Sequence, residues 1–209
     1  MSVIRILLIL SAMLVGGGNA MAIEEANYTV VEKADNFEIR DYAPHTLAET
    51  VVTGSLEDAG NKAFNRLFEY ISGNNQSSAK VAMTAPVSQE PSGEKIDMTA
   101  PVGQQAAGER WVVSFMMPAS YTLETLPKPM DPAVTLRAVP ARRMAAIRYS
   151  GFWSEEGYLR NKAALESWIE KKGYKAIAEP VWARYNAPFS LWFLRRNEVL
   201  ISIAPATGK

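Results

Sequence analysis

Lys80-Val81-Ala82-Met83-Thr84-Ala85-Pro86-Val87 returns fifteen residues later as Lys95-Ile96-Asp97-Met98-Thr99-Ala100-Pro101-Val102. Apolar residues alternate in both copies: Val81, Met83, Ala85 and Val87, then Ile96, Met98, Ala100 and Val102. A period of two belongs to a strand with one covered face. The intervening Ser88-Gln89-Glu90-Pro91-Ser92-Gly93-Glu94 is turn-forming and of hairpin length. The copies therefore read as the arms of a β-hairpin, each sending a methionine into one interior. Proline donates nothing to a ladder, which puts Pro86 and Pro101 at strand ends or edges. Methionine adapts to irregular apolar shapes, so Met83 and Met98 suit a plain core and a flat ligand equally.

Upstream, Tyr28 to Lys33, Phe37 to Tyr42 and His45 to Thr53 read as strands. Ser55 then caps a helix with Asp58 at the capping-box position. On it Leu56, Ala59, Ala63, Phe64, Leu67, Phe68 and Ile71 recur at three- and four-residue steps, one apolar stripe closed by Gly73. Downstream, Trp111 to Met117, Val134 to Val139 and Met144 to Tyr149 read as strands. Ser154 caps a second helix with Glu155 and Glu156 in its first turn, where the helix dipole favours acids. Tyr158, Leu165, Trp168 and Ile169 form its buried stripe and Gly173 its stop. Lys175 to Tyr185 and Glu198 to Ile203 complete the sheet around an aromatic loop with Pro188, Phe189, Trp192 and Phe193. Strands, helix, strands, repeated twice, reads as an α+β fold with two similar halves around one β core.

Residues 1–22 read as a signal peptide: Arg5 is the positive n-region, Ile6 to Val15 the apolar stretch, and small residues follow. Ten apolar residues are too few to span ~30 Å of hydrocarbon. The expected domain therefore covers 23–209, with no membrane span after processing, in the periplasm or outside the cell. The chain has no cysteine, so neither disulfides nor lipidation at a signal-peptide cysteine is available, and the packed core must supply stability.

Charge balances, 22 basic residues against 22 acidic, which argues against a nucleic-acid module. The doublets Arg142-Arg143, Lys171-Lys172 and Arg195-Arg196 read as solvated faces. Without cysteine there is no thiolate nucleophile and no C-x-x-C-H haem attachment. A lone histidine excludes the H-E-x-x-H metalloproteases, and no G-x-S-x-G turn presents a serine. Binding, rather than catalysis, remains.

The doubled K-x-x-M-T-A-P-V resembles the SOUL haem-binding family. Phe37-Glu38-Ile39-Arg40-Asp41-Tyr42 is similar to the family's E-I-R-x-Y strand, Arg148-Tyr149-Ser150-Gly151 to its R-x-S/G-G strand end, and Arg195-Arg196-Asn197-Glu198-Val199 to its R-R-N-E-V. The four pieces keep the family's order across Tyr28 to Ile203. The resemblance implies a distorted antiparallel or mixed β-barrel with two flanking helices. It also implies non-covalent binding of haem or another tetrapyrrole in an apolar cleft. The expected protein is a monomeric carrier, buffer or scavenger, and not an enzyme. Alternatives are a pocket protein of the same fold for another small molecule, or an enzyme acting on a bound amphipathic ligand.

Haem offers apolar faces, an iron and two propionates. Burying roughly 400 Å² of it yields on the order of 10 kcal/mol gross, against about 4–15 kcal/mol for association, so an iron bond is optional. His45, the lone imidazole, shares strand parity with Leu47 and Val51 and is the candidate axial ligand; the alternative is a partly buried histidine after Pro44. Met83 and Met98 are thioether alternatives. The family implies haem near the first helix with basic residues by its carboxylates. Lys62 and Arg66, four apart beside the Phe64 and Leu67 stripe, are the candidates, or else two solvated charges. Arg195 and Arg196 either serve the ligand, pair with Glu198 or cap the sheet.

Overall fold

The computed structural model describes residues 23–77 and 93–206. In chain order come β1 (Tyr28–Ala34), β2 (Phe37–Tyr42), β3 (His45–Thr53), α1 (Leu56–Ile71), β4 (Asn75–Gln76), β5 (Val102–Ala107) and β6 (Arg110–Met116). They are followed by β7 (Lys128–Pro129), β8 (Val134–Val139), β9 (Arg142–Tyr149), α2 (Glu155–Lys171), β10 (Tyr174–Ala176), β11 (Val181–Arg184), a 3-10 turn (Trp192–Leu194) and β12 (Asn197–Pro205). The main sheet runs β1-β2-β9-β12-β11-β5-β6-β3-β8, with β10 against β12, and all its pairings are antiparallel. Among the described residues the path ends at β1 and β8, so the expected barrel is a distorted, open sheet.

The two halves appear in the strand order. In one, β3 leads into α1 and lies between β8 and β6; in the other, β9 leads into α2 and lies between β2 and β12. The β5–β11 pair joins them.

A single cross-strand row, Val134–Thr50–Val113–Gln104–Trp182–Val199–Ile147–Phe37, defines one face of the whole sheet. Both helices cover that face. α1 packs Ala63, Leu67, Tyr70 and Ile71 on Ala48, Val113 and Phe115, while Tyr158, Leu165 and Ile169 of α2 join Ile39, Ala145, Ile147, Trp182, Val199 and Ile201. The sequence stripes foretell this: Leu67 and Leu165 are fully buried. The caps form as their residue types dictate. Ser55 accepts from the Asp58 amide and Ser154 from the Gly157 amide, while Gly73 and Gly173 leave both helices at positive φ (117° and 75°).

The methionine hairpin departs from its reading. The first arm, with Met83, lies outside the described residues. The second arm is not a ladder strand. Ile96 N–H donates to Ile71 O at 2.8 Å, Ala100 N–H to Glu24 O at 2.9 Å, and the Thr99 hydroxyl to Met116 O. These scattered partners pull Ile96, Thr99 and Ala100 inward and leave Met98 outward, 38% exposed. The ladder begins only past Pro101, at Val102. The run from Lys175 to Tyr185 is likewise two strands, β10 and β11, on either side of Glu179-Pro180.

Candidate functional site

The residues behind the resemblance converge in space. β2 and β12 flank β9, which brings Arg40 to Glu198 across the face that the helices leave uncovered. Arg40 donates twice to Glu198, at 2.7 and 3.0 Å; Arg196 Nε and the Tyr185 hydroxyl add 2.9 Å bonds. Arg196 reaches on to Glu25 at 2.8 Å, and Arg40 to Glu38 at 2.8 Å. Burial alone would raise the Glu198 carboxyl, but the Arg40 bonds and charge, with Arg196, hold it below its ordinary value. Asn197 accepts from the Trp153 indole at 2.9 Å, and Arg195 holds the aromatic loop through Ser190 O (2.9 Å) and Pro188 O (2.7 Å). Of the readings open for the arginine doublet, pairing with Glu198 holds for Arg196. These motifs brace the sheet.

His45 opens β3 with the parity of Leu47 and Glu49, on the face away from the helices. It lines a cavity of about 340 Å³ with Met116, Met117, Leu123, Val139 and Glu24, a volume in the small-molecule range. Its Nδ1 lies 2.9 Å from the Ala43 carbonyl, which can only accept; Nδ1 therefore carries the proton and the Nε2 lone pair is free. Desolvation lowers its pKa, reinforced by Arg142 and Arg137 against the opposing Ala43 bond, so the ring is neutral at pH 7.

Arg137 is engaged with Glu49 at 2.6 and 2.8 Å. Arg142 is not: its enclosed Nε has no hydrogen-bond partner, and burial lowers its pKa. Read from the sequence as half of a solvated doublet, it is instead a charge beside the lone imidazole. Only the alternation of β9 could have shown that Arg142 and Arg143 face opposite ways.

The other expected site residues lie across the sheet. Leu67 is core, so no ligand can reach it without displacing packing. Phe64 stacks on Phe68 (5.9 Å) and meets Phe115 edge-on (5.3 Å). Arg66 is held by Asp131 at 3.0 Å and Thr50 at 2.8 Å, toward β8, while Gly60 on the other flank of α1 faces β11. Lys62 is exposed and makes no ion pair among the described residues. The structure therefore separates the α1 set from His45. A second cavity of about 530 Å³ is lined by Lys33, Glu38, Arg40, Arg148, Tyr149 and Arg195. Among the described residues no helix is long and apolar enough to cross a membrane.

Human heme-binding protein 2 (Homo sapiens) is 26% identical over 86% of this chain and 89% of its own. The mouse heme-binding protein 2 (Mus musculus) is 24% identical over 87% and 91%. A solved structure described as a hydrolase from Listeria innocua superposes with a TM-score of 0.57 over 83% of this chain and 94% of its own. The C-terminal domain of EcmrR gives 0.54 over 85% and 98%. Both are 12% identical, so they speak to the fold alone. The family model described as SOUL heme-binding protein matches residues 23–202, and the chain belongs to that family.

Proposed function

We propose that this is an exported haem or tetrapyrrole carrier whose ligand is seated against His45. The reading rests on the family match and is carried by one local observation: a neutral imidazole with its Nε2 lone pair free, facing a cavity whose wall is part apolar and part acidic, with Glu24, Glu25 and Glu124. Haem iron accepts such a nitrogen as an axial ligand. Met116, Met117, Leu123 and Val139 supply apolar wall, and Arg142, beside His45 and without an ion pair among the described residues, supplies a nearby cation. Lys62 and Arg66 are set aside for that role, because they stand on the other side of the sheet. Export follows from residues 1–22, whose charge and apolar pattern is that of a cleaved leader.

The test is haem titration of residues 23–209, followed by absorption. His45→Ala is expected to shift the Soret band and weaken binding by at least about tenfold, the loss of one coordinate bond. An unchanged spectrum and affinity would remove His45 as ligand. The pH sign follows from the depressed pKa. Only the neutral ring coordinates, so the His45-dependent spectrum is expected to persist below the ordinary histidine value of about 6.5 and vanish only in stronger acid.

A further inference from the structure

The loop between β11 and β12 carries its apolar side chains outward. Phe189 is 89% exposed and Leu194 67%, and Leu191, Trp192 and Phe193 are exposed beside them. Phe152, from the loop that leads from β9 into α2, joins the same tip. Its ring stacks on Trp192 at 5.2 Å, and Trp192 meets Phe193 edge-on at 5.5 Å. Isolated exposed apolar residues are ordinary, but six on two adjoining loops form a patch of the kind that marks an interaction site.

The backbone builds this exposure in. Arg195 Nε donates to Ser190 O at 2.9 Å, and its Nη2 to Pro188 O at 2.7 Å. The Gly151 amide donates to Trp192 O at 3.1 Å, and the Arg196 amide to the Asn186 side chain at 2.6 Å. Arg195 also lies 4.7 Å from the Trp153 ring, whose indole donates to Asn197. These bonds tie both loops to β12 while the apolar side chains point away from the core. The tip is therefore ordered before any partner arrives, which lowers the entropy cost of docking.

Its surroundings are cationic. The 530 Å³ cavity opens beside the tip, with Phe193, Leu194 and Arg195 in its wall together with Lys33, Arg40 and Arg148. Two of these bases are already matched, Lys33 by Glu38 and Arg40 by Glu198. Arg148 is exposed and, like Arg195, makes no ion pair among the described residues; Asp35 is the remaining acid of the wall. The acids that follow Phe152, Glu155 and Glu156, stand in the first turn of α2, where the helix dipole offsets them, and Glu156 also reaches Arg160.

We propose that this tip docks on an anionic phospholipid bilayer. Phe152, Phe189, Trp192 and Leu194 enter the boundary between headgroups and acyl chains, and Arg148 and Arg195 meet the headgroup phosphates. Tryptophan and phenylalanine flanked by cations is the composition of an interfacial anchor. A fluid apolar phase receives a side chain as isolated as Phe189 without the shape-matched pocket that a protein partner must supply. A guanidinium fork matches phosphate oxygens. The His45 cavity is lined by other residues, so docking here neither needs nor tests haem binding there.

The experiment is vesicle flotation of the chain from residue 23 onward, so that the apolar stretch Ile6 to Val15 contributes nothing. Vesicles of equimolar phosphatidylcholine and phosphatidylglycerol are expected to carry the protein. Pure phosphatidylcholine should bind it at least about fivefold more weakly, the effect of one cation at such a surface. Phe189→Ser with Leu194→Ser should weaken binding to the anionic vesicles at least about tenfold; both side chains are exposed, so the fold does not rest on them. Arg148→Glu should weaken it at least about fivefold and reduce its dependence on salt. Lipid brominated in its acyl chains should quench tryptophan emission, and Trp192→Phe should lose most of that quenching while still floating. No flotation, equal binding to both vesicle types, an unaffected serine variant, or quenching unchanged in Trp192→Phe overturns the proposal. So does self-association that the serine variant abolishes in a protein that does not float, which assigns the tip to a second copy of the chain.

Discussion

Glu198→Ala is expected to lower folding stability by about 3–5 kcal/mol, the largest loss that any single charge removal in this protein should produce. Glu198 is fully buried, and Arg40 beside it is 2% exposed. Removing the carboxylate leaves Arg40 with Glu38 and the Tyr42 hydroxyl as its remaining hydrogen-bond partners, and takes one acid from Arg196. A desolvated guanidinium short of its main partner costs far more than the pair contributes. The measurement is the urea midpoint at constant slope. Arg40→Met combined with Glu198→Leu removes both charges and should cost less than Glu198→Ala alone; Glu38 would keep Lys33 at 3.0 Å and Arg196 would keep Glu25. If the double variant is the worse of the two, the unpaired-charge account is wrong.

The same group sets a pH dependence whose sign is determined. Its folded pKa lies below the unfolded one, so its contribution is complete above the ordinary glutamate value of about 4.3. It is lost as the pH falls through the depressed value. Wild type should therefore lose stability in acid more steeply than the Arg40→Met, Glu198→Leu protein.

The fold was legible wherever periodicity had one dominant face. β3 runs from His45 to Thr53 as the alternation implies, and α1 buries Leu56, Ala59, Ala63, Leu67 and Ile71 from a stripe visible in the residues alone. Caps and stops were local chemistry, hence readable. The second arm of the repeat misled because alternation describes an extended chain, not a paired one: Lys95 to Pro101 is bonded piecemeal to Ile71, Glu24 and Met116. The candidate site was less legible because it depends on which face each strand presents. His45 and the α1 residues are close in sequence yet lie on opposite sides of the sheet. Arg142 gains interest only from lacking an ion pair among the described residues, and a missing partner leaves no mark in the sequence. The shared motif around Arg196 and Glu198 invited a ligand role, yet its members hold one another.

Trp182→Ala is expected to cost about 3–5 kcal/mol, the range for emptying a large aromatic site. Trp182 is 1% exposed and belongs to the cluster that holds Leu56 of α1 together with Tyr158, Leu165 and Ile169 of α2. Its ring stands 5.6 Å from that of Tyr158. It also lies on β11, whose pairing with β5 is the ladder joining the two halves. A cavity there loosens both helices at once, and neighbouring strands cannot collapse into it without breaking register. Trp182→Phe keeps an aromatic ring in the site and forfeits bulk together with the indole's contact with the Tyr149 hydroxyl, so it should recover most of the loss. Denaturant unfolding of the three proteins decides the matter. An alanine variant within about 1 kcal/mol of wild type would show that the halves are held together elsewhere, through the strand ladder rather than through this ring.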